Sequence, residues 1–233
     1  MKAMPFRQHE RLRPFPSLPE AVKGRYAPGA LALRPFGLYE SDLNVDFDRT
    51  PRPVLVTQLL ECCTRDARKE KVEQHLFWQL PVGKRIECLL ALLLSGAGAE
   101  IPVAFRCPNP ACGESSEIGI SIEEIAALQE EAYASDRVEV ALDNEVLALR
   151  RPTGSDQLAW LEGNFTDRAA ALRAMVRTLI LDVHRDTLRD EWLDSIEEAM
   201  EEHDPLVNFK LRVKCPSCES APLVRIDLAE LSL

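Results

Sequence analysis

The fold is decided by two stretches that repeat each other: FRCPNPACGESSEIGISIEEI at residues 105–125 and VKCPSCESAPLVRIDLAEL at residues 213–231. Each stretch carries two cysteines, and proline follows the first of them. The apolar residues after the second cysteine occupy matching positions: Ile118, Ile120, Ile122 and Ile125 after Cys112, and Val224, Ile226, Leu228 and Leu231 after Cys218. The two stretches therefore form an internal repeat.

Each copy of the repeat is predicted to be a β-hairpin that carries a pair of thiols at its turn. Apolar and polar residues alternate after the second cysteine, which is the pattern of a half-buried strand. Four thiolates from two tight turns are the ligand set of a structural tetrahedral zinc site. Because the two turns are far apart in the chain, the sequence predicts a split zinc ribbon with one structural Zn²⁺ bound by Cys107, Cys112, Cys215 and Cys218.

Other states of these cysteines stay open at this point. They could be buried free thiols, or the hairpins could persist without a metal. Disulfides are disfavoured because residues 1–13 are basic and polar and lack the apolar core of a signal peptide. We therefore expect a cytoplasmic protein, either free or retained in a larger particle, whose thiols stay reduced.

Composition weighs against two classes of partner. Of the 233 residues, 46% are hydrophobic and 28% are charged, and the formal net charge is -10. No apolar run approaches the roughly 20 residues that cross a bilayer, so we expect no membrane partner. Sequence-independent binding to nucleic acid depends on Lys and Arg beside the phosphates. The acidic balance therefore argues against nucleic acid as a partner.

The sequence predicts an α+β chain with four parts. Residues 1–53 hold half of the 16 prolines and are predicted to form an extended arm, either mobile or laid on another surface. Residues 54–100 are predicted to be helical, residues 101–125 and 206–233 to form the split zinc ribbon, and residues 126–205 to be an inserted hairpin with helices.

Within the helical part, residues 88–94 are apolar on all sides, which predicts burial in the core of the chain or by a partner. Three further cysteines and one histidine lie in this part, and their spacing fits no common metal-ligand pattern. We therefore predict core packing, not a second metal site, for Cys62, Cys63 and Cys88, with His75 nearby.

A short helix is predicted from Ser121, where Ser-Ile-Glu-Glu forms a capping box that runs into Ile125 and Leu128. A hairpin is predicted to follow over residues 137–149 and to turn at Asp143 and Asn144. The breaker from Arg151 to Asp156 and then Thr166-Asp167 are predicted to cap two helices, the second with an apolar stripe that extends to Val183. The last helix, from about Arg189 to Glu202, has one acidic face. That face is either solvated or bound to a basic surface of a partner.

Several short motifs follow one another along the chain. They are Leu80-Pro81-Val82-Gly83-Lys84-Arg85, Cys107-Pro108 with Cys112-Gly113, Arg150-Arg151-Pro152-Thr153-Gly154-Ser155-Asp156, Asp204-Pro205, and Cys215-Pro216-Ser217-Cys218 with Ile226-Asp227-Leu228. Their order resembles the T4-type baseplate hub assembly chaperone family of contractile phage tails, and more closely its relatives encoded in extracellular contractile injection system clusters. The resemblance covers residues 80–233 and leaves residues 1–53 outside it. The family pattern has a shorter first cysteine loop than Cys107 to Cys112.

The resemblance implies a non-catalytic assembly factor or structural component whose partners are baseplate or hub structural proteins. An enzyme is disfavoured because four thiolates leave a zinc ion no open position, and no motif of a phosphate loop or a hydrolase occurs. The alternative is a zinc ribbon that binds nucleic acid or acts in transcription.

The repeat also predicts that the two hairpins share one small core, formed by Ile118, Ile120, Ile122, Val224, Ile226 and Leu228. A metal at the cysteines would then fix both ends of the insert. The helices and the arm would be left to recognise a partner. On this view, deletion of residues 1–35 is expected to leave a folded protein that no longer engages its partner normally.

Overall fold

The computed structural model describes residues 12–96, 100–122, 124–125, 128, 136–142, 145–181 and 188–233. These residues form small antiparallel sheets and helices packed around separate hydrophobic cores. The predicted α+β class is therefore confirmed. No helix among them is long and apolar enough to span a bilayer.

The first core rests on a three-stranded antiparallel sheet near the N-terminus. Strand β1 (Arg13–Pro14) pairs with β2 (Leu31–Leu33), which pairs in turn with β3 (Thr64–Asp66). The short helix α1 (Glu20–Lys23) connects β1 to β2. Successive side chains of a strand point to opposite faces, and the buried residues of β2 are accordingly its first and third.

The described part of the N-terminal segment is built into this core and does not stand apart from the helices. Phe15, Val22, Leu31 and Leu33 are all buried there. Deletion of residues 1–35 would remove these four side chains and two of the three strands. The expectation that such a deletion leaves a folded protein is therefore contradicted, while the division of the chain into four domains stays a prediction.

Three helices complete the first core and lead to the second. They are α2 (Arg52–Cys63), α3 (Gln74–Gln79) and α4 (Val82–Gly96). Helix α4 lies between two cores: Cys88 and Leu89 pack in the first, and Ile86 and Leu90 pack in the second. The apolar stretch of α4 is buried within the chain at Cys88, Leu89 and Leu90 and partly buried from Ala91 to Leu93. The sequence predicts Gly96 and Gly98 as the stop of this helix; α4 ends at Gly96, and Gly98 lies outside the described residues.

The first predicted hairpin is confirmed as β4 (Glu100–Arg106) paired with β5 (Ser115–Ser121). Buried and exposed residues alternate strictly along β4. At the end of β5, the Ser121 hydroxyl accepts a hydrogen bond of 3.3 Å from the backbone N–H of Glu124. The chain is helical after this serine at Ile122, Glu124, Ile125 and Leu128.

The hairpin of the insert is confirmed as β6 (Arg137–Leu142) paired with β7 (Glu145–Arg150). Its predicted turn, and the predicted end of the apolar stripe at Val183, lie outside the described residues. Helices α5 (Gly154–Glu162), α6 (Arg168–Leu179) and α7 (Leu193–His203) follow. Thr153 and Asp167 cap α5 and α6 as predicted. The hairpin, α6 and α7 enclose the third core.

The second predicted hairpin consists of β8 (Lys210–Arg212) and β9 (Leu223–Arg225), followed by the helix α8 (Leu228–Leu231). The interpretation of Leu228 and Leu231 as strand residues is therefore wrong. Asp227 caps α8 by accepting a hydrogen bond of 3.0 Å from the N–H of Glu230. Asp227 and Ser121 occupy the same position in the repeat, so both copies run strand, cap and helix.

The two copies pack against each other in the second core. Ile120, Ile122, Ile226 and Leu228 are buried there, and Ile118 and Val224 are partly buried against them. The predicted sharing of one core by these side chains is confirmed. It places both cysteine turns at the same end of the two hairpins.

Candidate metal centre

The structure brings all four predicted cysteines together. Their sulfur atoms lie within 4.8 Å of one another, with Cys107 Sγ 3.7 Å from Cys218 Sγ and Cys112 Sγ 3.8 Å from Cys215 Sγ. Four sulfurs at about 2.3 Å from a tetrahedral zinc are about 3.8 Å apart. A disulfide would need about 2.05 Å, and all four cysteines are free thiols. The geometry matches a metal shell and not a covalent bridge.

The two turns differ in length but end in the same backbone arrangement. In the first, the N–H of Cys107 donates to the carbonyl of Glu114, and in the second, the N–H of Cys215 donates to that of Ser220. The residue after the second cysteine is left-handed in both, with φ of 61° at Gly113 and 59° at Glu219. The longer first loop therefore closes around its cysteines as the shorter second loop does.

Polar side chains beside the sulfurs bias their protonation. The Ser220 hydroxyl lies 3.0 Å from Cys218 Sγ, and its hydrogen bond is the main reason that the pKa of Cys218 falls to about 6. At Cys112 a backbone N–H lowers the pKa, but desolvation and hydrogen bonds to the other thiols outweigh it and raise this pKa to about 12. Four adjacent thiolates repel one another, so full ionisation requires a cation.

Ser220 and Asn109 are contacts that sequence reasoning missed. Asn109 Nδ2 donates to Cys218 Sγ at 3.7 Å, and Ser220 Oγ lies 3.6 Å from Cys107 Sγ. Both residues therefore link one cysteine turn to the other. Their positions inside the two turns were the available signal, since turn residues next to metal ligands commonly orient them.

The remaining cysteines lie elsewhere. Cys63 and Cys88 are fully buried, and burial raises the pKa of Cys63 to about 12, which is the behaviour of an inert core thiol. Cys62 is only partly buried. Within the described ranges, the four clustered cysteines are the one group of three or more Cys, His, Asp or Glu side chains placed to share a metal ion.

The other sequence motifs meet at a second buried place, which we name the Arg151–Asp204 junction. The N–H of Val82 donates to the carbonyl of Pro152, and the N–H of Gly154 donates to that of Leu80. Arg151 Nη1 donates to the carbonyl of His203 and lies 3.7 Å from Asp204 Oδ2. The junction thus joins the start of α4, the segment before α5 and the end of α7.

Both charged partners of the junction are withdrawn from solvent, with side-chain exposures of 2% for Arg151 and 4% for Asp204. Burial raises the pKa of Asp204 to about 6, although Arg151, the backbone N–H groups of Val207 and Gly83, and Lys84 all act to lower it. The effect of desolvation on the pKa of Asp204 therefore outweighs that of Arg151, because the 3.7 Å between the two side chains is too long for a direct hydrogen bond.

A further buried guanidinium, that of Arg85, packs beside the junction. Arg85 Nη2 donates to the carbonyl of Pro53 and to Thr57 Oγ1, and its guanidinium carbon lies 5.2 Å from the centre of the Trp78 ring. Gly154 lies directly against this guanidinium, and a Cβ at that position would overlap it. A side chain at this glycine position would therefore require the Arg85 guanidinium to move.

Comparison with known proteins agrees with this arrangement. No curated protein and no solved structure matches the chain. The model of a family described as T4 bacteriophage base plate protein matches residues 31–231. The match includes the cysteine cluster, the Arg151–Asp204 junction and, beyond the resemblance seen in the motifs, residues 31–79. The chain therefore belongs to the T4 bacteriophage base plate protein family.

Proposed function

We propose that the chain is a non-catalytic assembly factor or structural component for the baseplate or hub of a contractile phage tail or contractile injection system. It acts through contacts with other proteins and holds one structural Zn²⁺ at Cys107, Cys112, Cys215 and Cys218. The observation that carries this proposal is the family match over residues 31–231, which spans both cysteine turns. The donor set fits zinc, because thiolates favour it and their spacing agrees with a tetrahedron.

The zinc would act as a clamp on the fold. Its four thiolates fill the coordination shell, so no position is left for a substrate or an activated water molecule. The two cysteine turns flank the insert in the sequence, and the ion would hold them together in the folded chain only. Metal binding would then contribute directly to the free energy of folding.

One surface that could bind a partner protein is the acidic face of α7. The acidic face of α7 includes Glu197 and Glu198, but Glu201 on the same helix bonds to Lys210 and Arg225 of the second hairpin. Glu201 therefore ties α7 to its own chain, and a test of this face must leave it unchanged. Cys88, Leu89 and Leu90 of α4 are buried within the chain and are not available to a partner.

The proposal places the action of the chain in the cytoplasm and has two forms: a chaperone that leaves the finished particle, and a component that is retained in it. Mass spectrometry of purified particles separates the two forms of the proposal: a retained component is found in them, and an assembly chaperone is not.

The test is co-expression of the chain with each baseplate and hub gene of its cluster, followed by size-exclusion chromatography. The proposal predicts a stable complex with at least one of these proteins, and loss of complete particles when the gene is deleted. Normal particles from the deletion strain, with no complex formed, would overturn it. Salt-sensitive binding of DNA by the purified chain would favour the alternative of a nucleic-acid-binding ribbon.

A further inference from the structure

The segment between β2 and α2 forms a compact surface loop, which we name the 36–47 loop. Its two ends are held together by the rings of Phe36 and Phe47, whose centres lie 5.8 Å apart at an interplanar angle of 76°. Phe36 and Val45 pack against the first core from the loop side. Loops of this length with joined ends and an internal filling are frequently functional.

A buried ion pair lies in the interior of the loop. Arg34 donates to both carboxylate oxygens of Asp42, at 2.7 and 2.6 Å, and neither side chain is exposed to solvent. The same carboxylate accepts the backbone N–H groups of Gly37 and Tyr39 at 2.9 and 3.3 Å. The φ of Gly37 is +82°, which favours glycine.

A buried ion pair adds little net stability compared with apolar packing, but it fixes one geometry. Here it bonds to the backbone at two points of the loop and so sets its shape. The guanidinium carbon of Arg34 also lies 4.4 Å from the centre of the Tyr39 ring. The 36–47 loop is therefore ordered before any partner binds, which reduces the entropy lost on association.

The loop exposes several large apolar side chains. Leu43 is 82% exposed, and Leu38, Tyr39 and Phe47 are between 40% and 46% exposed. Exposed apolar side chains that form a contiguous patch mark interaction sites. The exposed charged residues from Glu40 to Arg49 are acidic on balance, with Glu40, Asp46 and Asp48 against the single base Arg49.

This combination of acidic and apolar surface indicates which class of partner could bind the 36–47 loop. An anionic membrane surface or a nucleic acid would be repelled by the acidic residues. A second copy of the chain in a two-fold contact would bring the same acidic groups face to face. A protein surface with an apolar pocket and Lys or Arg at its rim complements both features.

We propose that the 36–47 loop is a docking surface of this chain, and that it inserts Leu38 and Leu43 into a basic-rimmed apolar pocket of a baseplate or hub structural protein. The inference rests on the proposed function, because it names the surface through which that function is carried out. It adds a site that lies away from the cysteines and from the acidic face of α7.

The probe is the purified structural protein that forms a complex with the wild-type chain in the co-expression experiment, and the measurement is its Kd by calorimetry. The Leu38→Ser/Leu43→Ser double variant is expected to weaken binding at least about tenfold, because each exposed leucine would lose its buried contact. The matched control is Val146→Ser/Leu161→Ser, two residues that are 60% and 57% exposed elsewhere on the molecule. The control should bind within about threefold of the wild type.

A second pair of variants tests the charge of the acidic residues. Glu40→Lys/Asp48→Lys is expected to slow association and to reverse its dependence on salt, because a basic rim would then be repelled. Equal affinity of the wild type and both loop variants would overturn the inference and leave the proposed function intact. Conversion of a dimer of this chain to a monomer by the leucine changes would overturn it in favour of a second copy. Failure of every structural protein to bind the wild type would overturn both proposals.

Discussion

The cysteine cluster and the Arg151–Asp204 junction both join segments that lie far apart in the chain, yet they balance charge differently. At the junction the cation and the anion both belong to the chain, and a backbone carbonyl and N–H groups add to the site. At the cluster every ligand can ionise to an anion, and a bound cation would supply the balancing charge. Buried charge needs a partner in either case. The junction therefore balances its charge within the chain, whereas the cluster would balance its charge with a metal ion.

The largest effect is expected from Cys215→Ser, which removes one ligand of the cluster. Loss of the ion would remove its contribution to folding, and we expect the free energy of unfolding to fall by at least about 4 kcal/mol. Urea unfolding followed by circular dichroism measures this. Cys62→Ser is the matched control, since Cys62 lies outside the cluster, and it should stay near the wild type. A Cys215→Ser protein as stable as that control would show that the cysteine cluster does not stabilise the fold through a metal.

The junction is tested by Arg151→Met, which keeps much of the side-chain volume and removes the charge. Asp204 would then be buried without its counter-charge, and we expect a loss of about 3 to 5 kcal/mol with the metal content unchanged. Arg168→Met is the control, because the Arg168–Glu197 pair is exposed and such pairs contribute little. Loss of zinc from Arg151→Met would show that the two sites are not separate.

The pH dependence of the free energy of unfolding provides a second test of the Arg151–Asp204 junction. The pKa of Asp204 is raised to about 6, so its folded form favours the proton. Its stabilising contribution is present below about pH 4 and is lost as the pH rises through about 6, which amounts to about 2 to 3 kcal/mol. Asp204→Asn removes this dependence. As the pH rises from 4 to 7, the free energy of unfolding of the variant minus that of the wild type should therefore increase.

Acid also displaces metal from thiolates, so each protein in that series is compared with wild type at the same pH. Asp194→Asn, on the exposed side of α7, is the control and should follow wild type throughout. Parallel curves for Asp204→Asn and Asp194→Asn would contradict the assignment of a raised pKa to Asp204.

The smallest effect concerns the packing beside the junction. Gly154→Ala places a methyl group on the Arg85 guanidinium, which is buried and has little room to move. We expect a loss of about 1 to 3 kcal/mol. Gly24→Ala is the control, because a Cβ there meets no atom within 4 Å. Equal thermal midpoints for the two variants would show that the junction tolerates the added volume.

The cysteine cluster could be predicted from the sequence because its signals are local. Two cysteine pairs with fixed spacing and strands with a two-residue period identify a hairpin without knowledge of the rest of the chain. The pairing of β1, β2 and β3 could not be predicted in this way, because these strands are two or three residues long and lie among prolines. These strands are too short to show an alternating pattern of apolar and polar residues.

The buried charges were also beyond the sequence. Asp42 lies in a short 3-10 helix, Glu40–Asn44, and Arg34, Arg151 and Asp204 lie outside the regular elements, where charged residues are ordinarily solvated. Their burial is set by tertiary contacts that no local pattern reports. The order of the motifs indicated that Arg151 and Asp204 belong to one family pattern, but only the structure shows that they meet.

The most direct test of the account is the metal content of the protein purified without chelator, measured by plasma mass spectrometry together with Cys62→Ser and Cys215→Ser. We expect about one zinc per chain in the wild type and in Cys62→Ser, and a large loss in Cys215→Ser. Removal of zinc by a chelator should lower the unfolding midpoint of the wild type. A folded wild-type protein without metal, or full zinc content in Cys215→Ser, would contradict the proposed zinc site.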